Sequence, residues 1–163
     1  MKELTKNFPL SLFALLFIVG FVASCGTEDD HDHEEHGDPE GLALYVEEAL
    51  VAKQENGTVT YMGGDDHLHL HMDEAIPSEV FFLDDDGDEF HPEEDHYSLG
   101  VEADPEGRIT ATFAGSIKWG FTMQCNSEGA VDVTFKLLHD DHADFVSQDI
   151  EVICEEHDED HED

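Results

Sequence analysis

Val131-Asp132-Val133-Thr134-Phe135-Lys136-Leu137 carries an apolar residue at every second position. Successive side chains of an extended strand point to opposite faces, so the run buries Val131, Val133, Phe135 and Leu137 and shows Asp132, Thr134 and Lys136 to water. The same period continues toward the N-terminus. Across the turn Asn126 to Gly129 lie Ile117, Trp119, Phe121 and Met123, and across Gly115-Ser116 lie Ile109, Ala111 and Phe113 in the segment Arg108 to Ala114. Beyond Asp104-Pro105-Glu106-Gly107, Tyr97, Leu99 and Val101 alternate in the segment His96 to Ala103. Toward the C-terminus one last strand is expected on Val146, Ile150 and Val152.

Further out the pattern holds. Glu79 to Leu83 reads as an apolar strand, and Asn56-Gly57 is a strong hairpin signal between Leu50 to Glu55 and Thr58 to Met62. Leu42, Leu44 and Val46 alternate, although residues 40–54 also fit a helix; strands are preferred because the rest of the body reads as β. Short strands separated by turns at intervals of about 8 to 12 residues define an all-β sandwich. From Ala103 to Val152, the hairpin around the single Trp119, a Gly turn and a strand centred on Phe135 resemble a bacterial immunoglobulin-like domain, which implies an immunoglobulin-like β-sandwich.

The chain has 163 residues, one domain's worth, with a hydrophobic share of 39% that exceeds what a wholly disordered acidic chain carries. Six Lys and Arg against 42 Asp and Glu give a formal charge of −36. Such a field repels phosphate backbones and anionic headgroups, which excludes nucleic acid as a partner and makes cations the natural one.

Residues 1–24 read as a targeting segment: Lys2 and Lys6 form a basic start, and Leu10 to Ala23 is an apolar run too short to span a bilayer. Val22-Ala23-Ser24-Cys25 resembles the lipobox of bacterial lipoproteins, cut by signal peptidase II before the Cys. The resemblance implies that Cys25 becomes a lipidated N-terminus, and more than one acyl chain anchors stably. Gly26 is not the Asp that retains enteric lipoproteins at the inner membrane, and Glu28-Asp29-Asp30 resembles the export signals of surface lipoproteins in Bacteroidota-type organisms. The expected location is therefore lipid-anchored at the outer membrane or cell surface, with the membrane met through the anchor alone. Residues 25–40 form an acidic tether with His31, His33 and His36, residues 41–154 the domain, and residues 155–163 an acidic tail with His157 and His161; both ends are expected to be disordered. In an oxidising setting Cys125 and Cys154 are expected to form a disulfide, with free thiols or soft metal ligands as the alternative.

The chemistry-bearing stretch is Asp65-Asp66-His67-Leu68-His69-Leu70-His71-Met72-Asp73-Glu74. On a strand, His67, His69 and His71 share one face while Leu68, Leu70 and Met72 face the core. Neutral imidazole is the commonest metal ligand, although an outward face merely rich in His is the plainer alternative. His67 and His71 stand about 13 Å apart on a strand, so one ion takes a neighbouring pair, expected to be His69 and His71. The remaining ligands are expected from His139, His142 and Asp144, or else from His91 or His96. Imidazole with carboxylate favours Zn2+, with Cu2+ and Ni2+ close behind. The acidic surroundings oppose this, because they favour protonated imidazole and a ligand must be deprotonated. Asp84-Asp85-Asp86-Gly87-Asp88 has the wrong register for an EF-hand and reads as a tight turn without a specific Ca2+ role.

Three functions compete. The first is a lipid-anchored, exported metal-binding protein that buffers or delivers Zn2+ or a similar ion; the second is a structural or adhesive surface module with incidental His. In the third, His67-Leu68-His69 with Glu74 matches the His-x-His-x4-Glu spacing of the first cupin motif and resembles that family's metal site. The glycines of that motif are absent, Tyr61 and Phe81 standing in their places, and no second motif follows, so the chain is expected not to be an enzyme.

Overall fold

The alternation from Val131 to Leu137 is realised within Gly129–His139, the longest of twelve strands formed by the described residues, among which there is no helix. The structure is a computed structural model that describes residues 38–72, 74–93, 95–115, 118–140 and 142–156. Cys25, the targeting segment, the tether as far as Gly37, the tail from His157, Ile117 and Asp141 lie outside the described residues.

In chain order the strands are β1 (Gly41–Val46), β2 (Ala49–Glu55), β3 (Thr58–Tyr61), β4 (Leu68–His71), β5 (Ala75–Leu83), β6 (Glu89–Phe90), β7 (Tyr97–Asp104), β8 (Ile109–Phe113), β9 (Gly120–Cys125), β10 (Gly129–His139), β11 (His142–Val146) and β12 (Ile150–Glu155). One sheet runs β3-β2-β1-β5-β9-β8, with β6 also on β5. The other has β7 along one side of β10 and β11 and β12 along its other side, with β4 beyond β12. All these pairings are antiparallel except β4 with β12, which is parallel.

The two sheets pack face to face as a sandwich because their apolar alternates meet in one core. Leu42, Leu44, Ala52, Val80, Phe82, Phe121 and Met123 come from the first sheet, and Leu70, Leu99, Val131, Val133, Phe135, Leu137, Ile150 and Val152 from the second. Phe82 is fully buried and meets Trp119 and Phe145 edge to face, with ring centroids at 5.6 and 5.8 Å. Such contacts add to the area each ring removes from water. Cys125 of β9 and Cys154 of β12 form the expected disulfide, which ties one sheet to the other.

Polar groups that the sandwich buries find partners across it. Gln54, 4% exposed on β2, accepts a 2.6 Å hydrogen bond from the Gln148 N–H, and Tyr61 on β3 accepts one of 2.8 Å from the Glu151 N–H. A donor left unmet in such a place costs about 1–3 kcal/mol, so these bonds fix where the first sheet's outer edge sits.

Residues 40–54 are two strands, as preferred, joined through Glu47 and Glu48. Asn56-Gly57 makes the expected hairpin, both residues having positive φ. The apolar strand expected at Glu79 begins earlier, at Ala75, where its first residues pair with β9. The single last strand is corrected to two. Ser147 interrupts it: its N–H donates to the Phe135 carbonyl and its hydroxyl accepts from the Phe135 N–H, replacing the next rung of the ladder. Phe145 consequently packs against the core while Val146 is 48% exposed, the reverse of the alternation read from sequence. Phe113 likewise sits 44% exposed at the end of β8.

Candidate metal centre

β4 is short because only four residues pair with β12, yet its parity is the expected one: Leu70 is buried and Leu68 and Met72 pack against the core. His69 and His71 therefore lie on the outer face of the second sheet. His67 precedes the strand and bends back over it. Its Nε2 lies 2.9 Å from Nε2 of His69, and the rings are 4.5 Å apart between centroids. The neighbouring pair whose ring nitrogens meet is thus His67 with His69, where the sequence reading takes His69 with His71.

Both rings of the pair are held from behind. His67 Nδ1 faces Asp66 Oδ1 at 2.9 Å, and His69 Nδ1 faces Glu155 Oε1 at 3.2 Å. A carboxylate on the far nitrogen fixes a ligating imidazole's tautomer and orientation. Two neutral imidazoles carry one N–H each, whereas this arrangement has three places for a proton, two toward carboxylates and one between the Nε2 atoms. A cation in the central place lets both rings keep their N–H groups on the carboxylates and turn both Nε2 lone pairs inward. Tetrahedral Zn2+ with bonds of about 2.0–2.1 Å needs its nitrogens about 3.3 Å apart, so the rings would part by roughly 0.5 Å. Asp66 was legible beside the His run, but Glu155 was not, because by composition it joins the acidic tail. Its position after the half-cystine Cys154 was the available signal: an inward residue is followed by an outward one.

The other candidates gather elsewhere. His139 and His142 are opposite one another at the end of the β10–β11 hairpin. His139 Nδ1 lies 3.4 Å from Asp144 Oδ2, and its ring packs on His96 and Tyr97, each with centroids at 4.7 Å. This cluster does not reach β4. His69 stands beside Ile153, and Ile153 beside Ala130, while His139 lies nine residues farther along β10. At about 3.4 Å per residue that is roughly 30 Å.

His91 follows β6 and lies against the first sheet. Its Nε2–H donates to the Val80 carbonyl at 2.8 Å, and its ring stacks on Phe81 and on Trp119, with centroids at 4.1 and 5.7 Å. Burial holds its pKa below the ordinary 6.5, against the opposing pull of the Val80 carbonyl and of Glu79 and Glu89. Its chemistry is that of a packed ring with one nitrogen already committed. At the Asp84 turn, the Asp84 carboxylate accepts from the backbone N–H groups of Asp86 and Asp88, and Gly87 takes a φ of 83°.

The described histidines thus form three separate groups, and among the described residues the single site drawing on β4 and the β10–β11 hairpin together is not assembled. Among the described residues no group of three or more His, Cys, Asp or Glu is placed to hold a metal ion. His67 and His69 are a pair, two nitrogens where a tetrahedral ion takes four donors. Comparison of the chain with protein-family models finds no match, and comparison with curated proteins finds none either.

Proposed function

We propose that this is a lipid-anchored, exported metal-binding protein that buffers or delivers Zn2+ or a similar transition metal, with His67 and His69 as the domain's own ligands. The observation that carries the reading is the convergence of the two Nε2 atoms at 2.9 Å, with a carboxylate behind each ring. The side chains of His67 and His69 are 26% and 44% exposed, so an ion reaches the pair without any part of the sandwich opening. The acidic field supplies the attraction, with 42 Asp and Glu in the chain. The lipobox-like Val22 to Cys25 supports the anchor, and a disulfide fits an oxidising compartment. The cupin-like reading gains nothing, because Glu74 joins no metal-holding group with His67 and His69 among the described residues.

Zn2+ titration calorimetry on the full chain at pH 7.5 tests this. One ion bound more tightly than the rest, and lost in His67→Ala/His69→Ala, is the expected result. An unchanged titration in the double variant would show that the acidic His-rich ends bind whatever metal is bound, and would favour the reading as a structural or adhesive surface module.

A further inference from the structure

One side of the sandwich is open, where β7 ends the second sheet and β8 ends the first among the described strands. Ile109, Ala111 and Phe113 of β8 stand opposite Cys125, Met123 and Phe121 of β9, all three buried, so these side chains share the inner face. The Asn126 N–H donates to the Arg108 carbonyl, which sets the phase of the ladder. Thr110 and Thr112 turn their backbone groups toward β9, and Ile109, Ala111 and Phe113 turn theirs to the open edge. Between the sheets at this edge lies a groove of about 430 Å³, walled by Val101 and Ala103 of β7 and by Ile109 and Ala111 of β8. The space is left by the two alanines, which stand where the next strands inward carry the larger Val133 and Met123.

Natural sheet edges are blunted by charge, proline or a bulge, and β8 has none of these. Its residues, Ile109-Thr110-Ala111-Thr112-Phe113, are uncharged in a chain dominated by acid, and its pairing with β9 runs in unbroken register. β3, at the opposite edge of the same sheet, is also uncharged, but there Val59 and Tyr61 pack against the core. At the end of β8, Phe113 adds an apolar wall that is 44% exposed. From edge and groove together we infer that β8 is a docking site for an extended, positively charged segment of a partner protein, which joins the first sheet as an added strand. The outward backbone groups of Ile109, Ala111 and Phe113 take it up, and its alternate side chains enter the groove beside Ala103 and Ala111. The groove falls within the range of about 300–1,000 Å³ that binding pockets occupy. The sign of the partner's charge follows from the surroundings. Glu106 and the Lys136-paired Glu102 line the groove, and a formal charge of −36 repels a second copy of the chain as it attracts a basic segment.

Fluorescence anisotropy of a labelled peptide of alternating Lys and Val, titrated with the full chain at physiological ionic strength, tests this against a peptide of the same composition with its Lys and Val in two blocks. The alternating peptide is expected to bind more tightly by about tenfold, the worth of one or two backbone hydrogen bonds. Ala111→Pro is expected to remove that advantage. It deletes an outward N–H and leaves the β9 ladder intact, a position where an edge strand accepts proline. Ala111→Leu fills the groove and keeps the N–H; it should weaken the alternating peptide as well, and it serves if Ala111→Pro fails to fold. In amide hydrogen exchange, the alternating peptide should slow Ile109, Ala111 and Phe113 of the wild type. Equal binding of the two peptides, unmoved by either substitution, would reduce the interaction to bulk charge attraction and overturn the inference. Protection at β3 or β4 in place of β8 would overturn it too. A dimer in sedimentation that Ala111→Pro makes monomeric would replace the basic partner with a second copy of the chain.

Discussion

His91 shows how one side chain can be read for chemistry and serve packing instead. Its ring lies flat against Phe81 and Trp119, and its Nε2–H is held by the Val80 carbonyl. Because burial lowers its pKa from 6.5 in the folded protein, the unfolded chain takes up a proton first as the pH falls. The stability tied to its neutral form is complete above about pH 6.5 and is lost as the pH drops through the folded value. Glu79, 3.9 Å from Nε2, and Glu89 soften this but do not reverse it. His91→Phe keeps a flat ring between Phe81 and Trp119 and removes the titrating group. It is expected to be less stable than wild type at pH 7.5 by about 1 kcal/mol, the worth of the lost hydrogen bond. Its urea midpoint should then fall less than that of the wild type between pH 7.5 and pH 5.5. Parallel decline of the two midpoints would remove His91 as a source of acid sensitivity.

At the scale of the element, the β1–β2 connection departs furthest from what its residues prefer. Val46 pairs with Ala49, leaving a two-residue turn of Glu47 and Glu48 with φ of 50° and 67°. Such turns need positive φ at both central residues and are usually Asn-Gly, the pair that serves β2 and β3 at Asn56 and Gly57. A left-handed conformation costs a residue with a Cβ about 1–2 kcal/mol, whereas Gly adopts it freely but gives up more chain entropy on folding, by roughly 0.5–1 kcal/mol. Glu47→Asn/Glu48→Gly is therefore expected to stabilise the protein by about 1 kcal/mol, read as a higher urea midpoint at constant slope; a lower midpoint would mean that the two Glu side chains make contacts worth more than the strain. The same turn explains why residues 40–54 could be read as helix: two Glu give no turn signal, so the apolar residues run on at mixed spacing. Where turn chemistry matched geometry, at Asn56-Gly57 and at Gly129, strands were legible to within a few residues. At Ser147 they were not, because a hydroxyl standing in for a backbone acceptor leaves no mark on the alternation. The His strand had the same limit. Parity told correctly which side chains leave the core, but pairing of β4 with β12 rather than with the β10–β11 hairpin is a long-range choice that no local pattern encodes.

For the molecule as a whole, the excess of acid is not offset within the body. Its four Lys and Arg have local contacts: Lys53 with Glu55 and Lys136 with Glu102 at 3.0 and 2.6 Å, Arg108 on the Ala130 carbonyl, and Lys118 over Trp119. Repulsion among the remaining carboxylates works against the compact state, and covalent closure works for it. The Cys125–Cys154 bond spans a sequence separation of 29 and joins β9 of one sheet to β12 of the other. It also stands beside the His strand, since Leu70 pairs with Cys154 and Met72 bridges to Cys125. Constraining a loop of that length in the unfolded chain is worth about 3–4 kcal/mol, a large share of a small domain's stability. Cys125→Ala/Cys154→Ala is expected to unfold at a midpoint lower by on the order of 15 °C, and reduction of the wild type should produce the same fall. Because β4 has only β12 as a partner within its sheet among the described strands, the Zn2+ affinity proposed for His67 and His69 should drop as well, even at temperatures where the rest of the sandwich stays folded. Melting of the reduced and oxidised proteins at one temperature would show that the core alone holds the sheets together, and unchanged Zn2+ affinity in the double variant would show that β4 keeps its place without the bridge.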